Sequence, residues 1–178
     1  MLEQLSGQSW EQLMREHVFE PLGMSSAGFG PPGSADKVDQ PRGHTKQVHA
    51  PGPGADNPAA IGPAGTVHAS IGDWAKFAAA HLVGARGADG FLRSETFTHL
   101  QTPPAGESYA MGWGRAKRDW AKGDTLSHSG SNTMWYCVVW IAPSVDRVLL
   151  VASNAGGDQA VKACDAALQA LIEHQKLR

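Results

Sequence analysis

The side chains best suited to chemistry stand together at His128-Ser129-Gly130-Ser131. A His beside a Ser invites a nucleophile and its base. Neighbouring side chains on a strand point to opposite faces, however, so these two cannot form a hydrogen-bonded dyad within the tetrapeptide. By itself the tetrapeptide reads as the polar end of a strand running into a turn, just before the apolar run Met134 to Ile141. His44 and His49 are five apart in a Gly/Pro-rich stretch with no Cys or carboxylate at ligand spacing, so no metal is expected there. There is no Gly-x-Ser-x-Gly elbow and no His-Glu-x-x-His, and no cofactor is expected. Cys137 and Cys164 are too few for a disulfide scaffold and read as small buried hydrophobes, with a single bridge left open.

A strand end needs a sheet to hold it, and the C-terminal half supplies the pattern for one. Tyr109 to Gly114 reads as a strand with close backbone approach at its glycines. Three runs follow, Thr125 to Ser131, Thr133 to Ile141 and Arg147 to Ser153, whose short connections predict an antiparallel meander. From about Asp158 to Lys176, apolar residues at Val161, Cys164, Leu168, Leu171 and Ile172 make one stripe, as expected of a helix lying on that sheet. Upstream, Ser9-Trp10-Glu11-Gln12 has the form of a capping box and opens a helix that Pro21 should stop. Ser70 caps a second helix, apolar at Trp74, Phe77, Ala78 and Leu82 and ending at Gly84, with His81 on the same stripe as a core histidine. A short helix after Ser94 leads to Pro103-Pro104. The expectation is one α+β domain: residues 1–20 helical, 21–65 a long loop, 66–104 helical, 108–153 antiparallel strands and 154–178 a covering helix.

Composition narrows the partners. With 15 Lys+Arg against 17 Asp+Glu the net charge is −2, so the chain lacks the basic surplus that drives binding to a phosphate backbone, and no nucleic acid partner is expected. No apolar run approaches the ~20 residues that span a bilayer. Met1 to Leu5 carry no basic segment ahead of an apolar one, so no signal peptide is read and the chain as given is expected in the cytoplasm. The 42% hydrophobic content is enough for a core. Gly and Pro are concentrated, with 8 Pro and 9 Gly in residues 21–65, too many breakers for any long element.

Four segments in order carry a resemblance: Glu16-His17-Val18-Phe19-Glu20-Pro21-Leu22-Gly23-Met24; Gly62 to Val67 followed by Asp73 to Phe77; Tyr109 to Gly114; and His128-Ser129-Gly130 with Ser131-Asn132. This sequence resembles serine beta-lactamase-like hydrolases, the superfamily of class C beta-lactamases, DD-peptidases and esterases. The resemblance implies a partial beta-lactamase/transpeptidase-like fold. It also implies that His128-Ser129-Gly130 is the third active-site motif, usually Lys-Thr-Gly or His-[Ser/Thr]-Gly. His128 would then supply charge or a hydrogen bond near the base, Ser129 would contact the substrate, and the Ser131 N–H would be half of an oxyanion hole.

The family's other two motifs are a Ser-x-x-Lys at the start of a buried helix and a Tyr-x-Asn or Ser-x-Asn. No Tyr-x-Asn or Ser-x-Asn occurs in this sequence, and the one literal Ser-x-x-Lys, Ser34 to Lys37, lies among breakers that forbid such a helix. The resemblance is therefore to a C-terminal half, expected to be unable to form an acyl-enzyme alone. Three readings stay open: part of a serine hydrolase acting on beta-lactam, peptide or ester substrates; a non-catalytic module that dimerises through the apolar edge around Val148 to Ser153; and half of a split enzyme completed by a missing N-terminal half.

Overall fold

A computed structural model describes residues 1–52 and 54–176 of the protein. The chain begins with α1 (Leu2–Ser6), closed by Gly7 at a φ of 72°, where a side chain would be strained. The capping box forms as the spacing predicts: Ser9 Oγ accepts the Gln12 N–H at 3.2 Å, and Gln12 Oε1 accepts the Ser9 N–H at 2.9 Å. It opens α2 (Trp10–Met14), which widens into a π-helical turn over Arg15–Phe19.

The Gly/Pro-rich stretch holds no long element. It contains three two-residue strands, β1 (Gly28–Phe29), β2 (Gly43–His44) and β3 (Val48–His49), then a 3-10 turn at Ala59–Ile61 and the single turn α3 (Gly62–Gly65). β4 (Val67–His68) pairs back on β1, while β2 pairs with β3, both antiparallel.

Two helices follow. Ser70 Oγ accepts the Asp73 N–H at 3.2 Å and so starts α4 (Ile71–Ala85), one residue longer than the Gly84 stop suggests. α5 (Ser94–Gln101) packs on it through Phe97, which is fully buried against Gly84.

The sheet is β5 (Gly114–Arg118), β6 (Gly123–Ser131), β7 (Tyr136–Ala142) and β8 (Arg147–Ser153), antiparallel in that spatial order. α6 (Asp158–Lys176) closes the described chain. The registers Leu126↔Ile141 and Val139↔Leu150 set the two faces. Leu126, Val139 and Ile141 pack with Ala78, Trp113 and the partly buried Trp74, Phe77 and Leu82, so α4 covers one face. Val138 and Leu149 pack with Cys164, Leu168 and Ile172, so α6 covers the other. Fully burying such aliphatic side chains contributes roughly 1.5–3 kcal/mol each, which makes these clusters the main source of cohesion. The architecture is α+β as expected, with the sheet covered on both faces rather than by the C-terminal helix alone.

One strand differs from expectation. The strand read at Tyr109 to Gly114 is displaced to Gly114–Arg118, and Tyr109 meets Gly114 only in an isolated bridge. Gly112, at a φ of 91°, folds the chain back on itself: Ala110 N–H donates to Trp113 O at 2.8 Å and Arg115 N–H to Ser108 O at 2.8 Å. The strand proper, Arg115-Ala116-Lys117-Arg118, is exposed along its length. An edge strand carrying charge has no apolar alternation to betray it.

The register also separates the cysteines. Cys137 shares the face of Val139 and Ile141, whereas Cys164 lies in the helix against the opposite face. Both thiols are free. His81 is in the core, 7% exposed, with its ring 4.7 Å from Phe77, 5.3 Å from Phe97 and 4.9 Å from Trp113, centroid to centroid.

Candidate active site

β6 positions the four candidate residues. His128, Ser129 and Ser131 are exposed and Gly130 is half-buried. On one side the strand is paired as far as Ser131↔Tyr136, but on the other β5 ends at Gly114↔Ser127. Because the Arg115 N–H turns away to Ser108, Gly114 and Ser127 are the pair that face each other through their peptide groups. Peptide orientation alternates along a strand, so Ser129 and Ser131 direct their N–H and C=O groups to the edge that β5 leaves open. The hairpin fold at Gly112 is what ends β5 there.

Side chains alternate as well. His128 and Gly130 share the α4 face with Leu126, and Ser129 and Ser131 share the other, so His128 and Ser129 form no dyad. Gly130 has no left-handed φ, and a Cβ built on it would meet nothing within 4 Å. Nothing inside this chain requires a glycine there. His128 Nδ1 is 3.1 Å from Tyr109 Oη, the phenol being carried beside it by the same Gly112 fold. The sequence singled out Tyr109 only as a strand residue; its contact depends on a turn that the pattern did not reveal.

The turn after β6 is bound to the Gly/Pro-rich stretch. Asn132 Oδ1 accepts the N–H groups of Met134 and Trp135 at 3.2 and 3.0 Å, and its Nδ2 donates to Asp56 Oδ1 at 2.9 Å. Ser131 Oγ donates to Trp135 O at 2.6 Å and accepts the Thr133 N–H at 3.0 Å. The His44 N–H donates to Met134 O at 3.0 Å, and Asn154 Nδ2 donates to Arg42 O at 3.0 Å. Thus two sides of residues 42–56 brace the end of the candidate strand. His44 Nδ1 lies 2.9 Å from Asn154 O and His49 Nε2 2.8 Å from Thr45 Oγ1, so each ring is occupied locally. Among the described residues no group of three or more His, Cys, Asp and Glu side chains could hold a metal ion.

The other sequence signals are structural. Pro21 to Met24 form the end of the first helical segment: the Met24 N–H returns to Phe19 O at 2.8 Å, and Gly23 takes a φ of 64°. Lys76 donates to Gly23 O and, at 2.6 Å, to Asp73 Oδ1. Asp73 Oδ2 accepts Ser26 N–H and Oγ–H at 2.7 and 2.6 Å, so α4 clamps the signature segment. Donation from Lys76 and then Ser26 pulls the Asp73 carboxyl down to about 2. Ser34 and Lys37 stand in no helix; Ser34 Oγ donates to Asp39 Oδ2 at 2.7 Å, and Lys37 pairs with that carboxylate at 3.6 Å. Ser34 thus donates its proton to Asp39 and Lys37 pairs with the same carboxylate, so the Ser-x-x-Lys is not presented from a buried helix.

The structure is thus an antiparallel sheet between two helical layers, with one strand edge left open beside a His-Ser-Gly. The family model described as Beta-lactamase matches residues 1–173, and the chain belongs to that family. Solved structures agree in fold. The octameric penicillin-binding protein homologue from Pyrococcus abyssi superposes with a TM-score of 0.68 at 21% identity, over 97% of this chain and 40% of that one. A D-stereospecific amidohydrolase from Streptomyces sp. gives 0.66 at 19% identity, over 92% and 50%. A beta-lactamase/D-alanine carboxypeptidase from Yersinia pestis gives 0.61 at 14%, over 97% and 51%. The chain thus spans about half or less of the length of these relatives. No curated protein matches it significantly.

Proposed function

We propose that this chain supplies the strand-edge half of an acyl-transfer site, acting on beta-lactam, peptide or ester carbonyls, and that the nucleophile and its base come from another stretch of polypeptide. The observation that carries this reading is the open edge of β6, where Ser129 and Ser131 turn their peptide groups outward beside a glycine that the chain's own packing does not need. A substrate laid along that edge would pair as an added strand, with the Ser131 N–H as one oxyanion donor. One such donor is worth ~3–4 kcal/mol in related chemistry. Neither Tyr-x-Asn nor a Ser-x-x-Lys in usable form lies in the 178 residues, so the chain by itself forms no acyl-enzyme.

Two measurements test this. Titrating 15N-labelled protein with benzylpenicillin should move the amide resonances of Ser129 and Ser131, and intact-mass measurement after exposure to a chromogenic beta-lactam should show no adduct. Unmoved resonances would remove the binding edge; a covalent adduct would remove the claim of incompleteness.

A second reading concerns assembly. β8 pairs only with β7 among the described residues, leaving Arg147–Ser153 as an outer edge of largely apolar sequence. Pairing of that edge with a second copy would make a homodimer, and pairing with the N-terminal half would complete the sheet. Sedimentation of the isolated chain should show self-association; a monomer at every concentration would rule out the dimer.

A further inference from the structure

We infer that Tyr109 is a positioning residue that holds His128 as its Nε2–H tautomer, making it a neutral donor toward a ligand's carbonyl oxygen; this rests on the reading of β6 as the substrate edge. Tyr109 Oη lies 3.1 Å from His128 Nδ1, with the rings 6.4 Å apart at 42°, so the contact is a hydrogen bond and not a stack. A phenol donates more readily than it accepts, and a neutral imidazole has one donor and one acceptor nitrogen. Donation from Tyr109 therefore fixes Nδ1 as the acceptor and places the proton on Nε2, the nitrogen that this contact leaves over.

Tyr109 gains nothing from burial that would explain its place. It is 52% exposed, on a segment folded back by Gly112, whose positive φ and two flanking backbone hydrogen bonds fix where the phenol stands. The same fold ends β5 at Gly114 and so creates the open edge. One turn thus opens the strand and orients the imidazole beside it, which couples the two features of the candidate site. A ligand lying along the edge would meet the Ser131 N–H from the backbone and, about three residues back along the strand, His128 Nε2–H from the side chain. Neither donor carries a charge in this state, which suits an ester or amide carbonyl.

Long-range 15N–1H correlation of the imidazole ring, recorded without ligand at a pH where His128 is neutral, tests the tautomer directly. The wild type should show a protonated Nε2 and a hydrogen-bonded, unprotonated Nδ1. Tyr109→Phe keeps the ring and removes only the hydroxyl; it should shift the Nδ1 resonance and bring the tautomer mixture toward that of free imidazole, with the other amide resonances in place. An unchanged Nδ1 resonance in Tyr109→Phe would overturn the inference. So would an Nδ1–H tautomer in the wild type, a result that needs no variant to fold. Because no ligand is present, either failure leaves the benzylpenicillin titration to decide the binding edge separately.

Discussion

His81 shows how a polar ring is made into core. Gln101 Nε2 lies 3.2 Å from His81 Nδ1 and 3.0 Å from its carbonyl, while three aromatic rings close around the imidazole. Burial pushes its pKa down to about 4. The unfolded chain, titrating near 6.5, binds a proton that the folded chain refuses. Stability is therefore whole above pH 6.5, falls as pH drops from 6.5 toward 4, and levels below that, with a loss of roughly 3 kcal/mol. Urea midpoints measured across this range should show the slope, and His81→Phe should flatten it. The neighbouring Gly84 is fixed by space: a Cβ there would overlap the fully buried Phe97 ring. Gly84→Ala should cost roughly 1–3 kcal/mol in the same assay, since Phe97 has no room to withdraw.

At the level of elements, the clamp between α4 and the end of the first helical segment has its own pH signature. Asp73, held down at about 2 against an ordinary 3.8, contributes stability that is present above pH 4 and is lost as pH falls through 2. Asp73→Asn should abolish that acid-side loss, a window lower than that of His81. The brace at the end of β6 makes a different prediction. Asn132→Ala leaves the Met134 and Trp135 N–H groups without their acceptor and leaves Asp56 with only the Asn57 N–H, so thermal unfolding should shift down and protease cleavage within residues 42–56 should accelerate.

Some of these elements were legible from pattern and others were not. α4 and α6 carry apolar stripes, and the last strand was read at Arg147 to Ser153 because its apolar run and the turn residues before it are local facts. β5 was misplaced because its residues face water and its start is set by one positive φ at Gly112. The brace through Asp56 joins residues 76 positions apart, which no local pattern encodes.

Across the whole molecule, the order of motifs located the candidate strand at His128 to Ser131, while its open edge depends on where a neighbouring strand stops. That is a property of register, visible only once the sheet is assembled. The same register placed Cys137 and Cys164 on opposite sides of the sheet, each thiol raised by burial and so slow to react while folded. Cys164 is buried in α6 against one face of the sheet, and Cys137 is half-buried on the other. The protein therefore carries two internal clocks: pulse labelling with a thiol reagent at increasing urea reads the opening of each face of the sheet separately, without any introduced probe. If the sheet comes apart as one unit the two labelling curves coincide, and if α6 lifts first, Cys164 reports it ahead of Cys137.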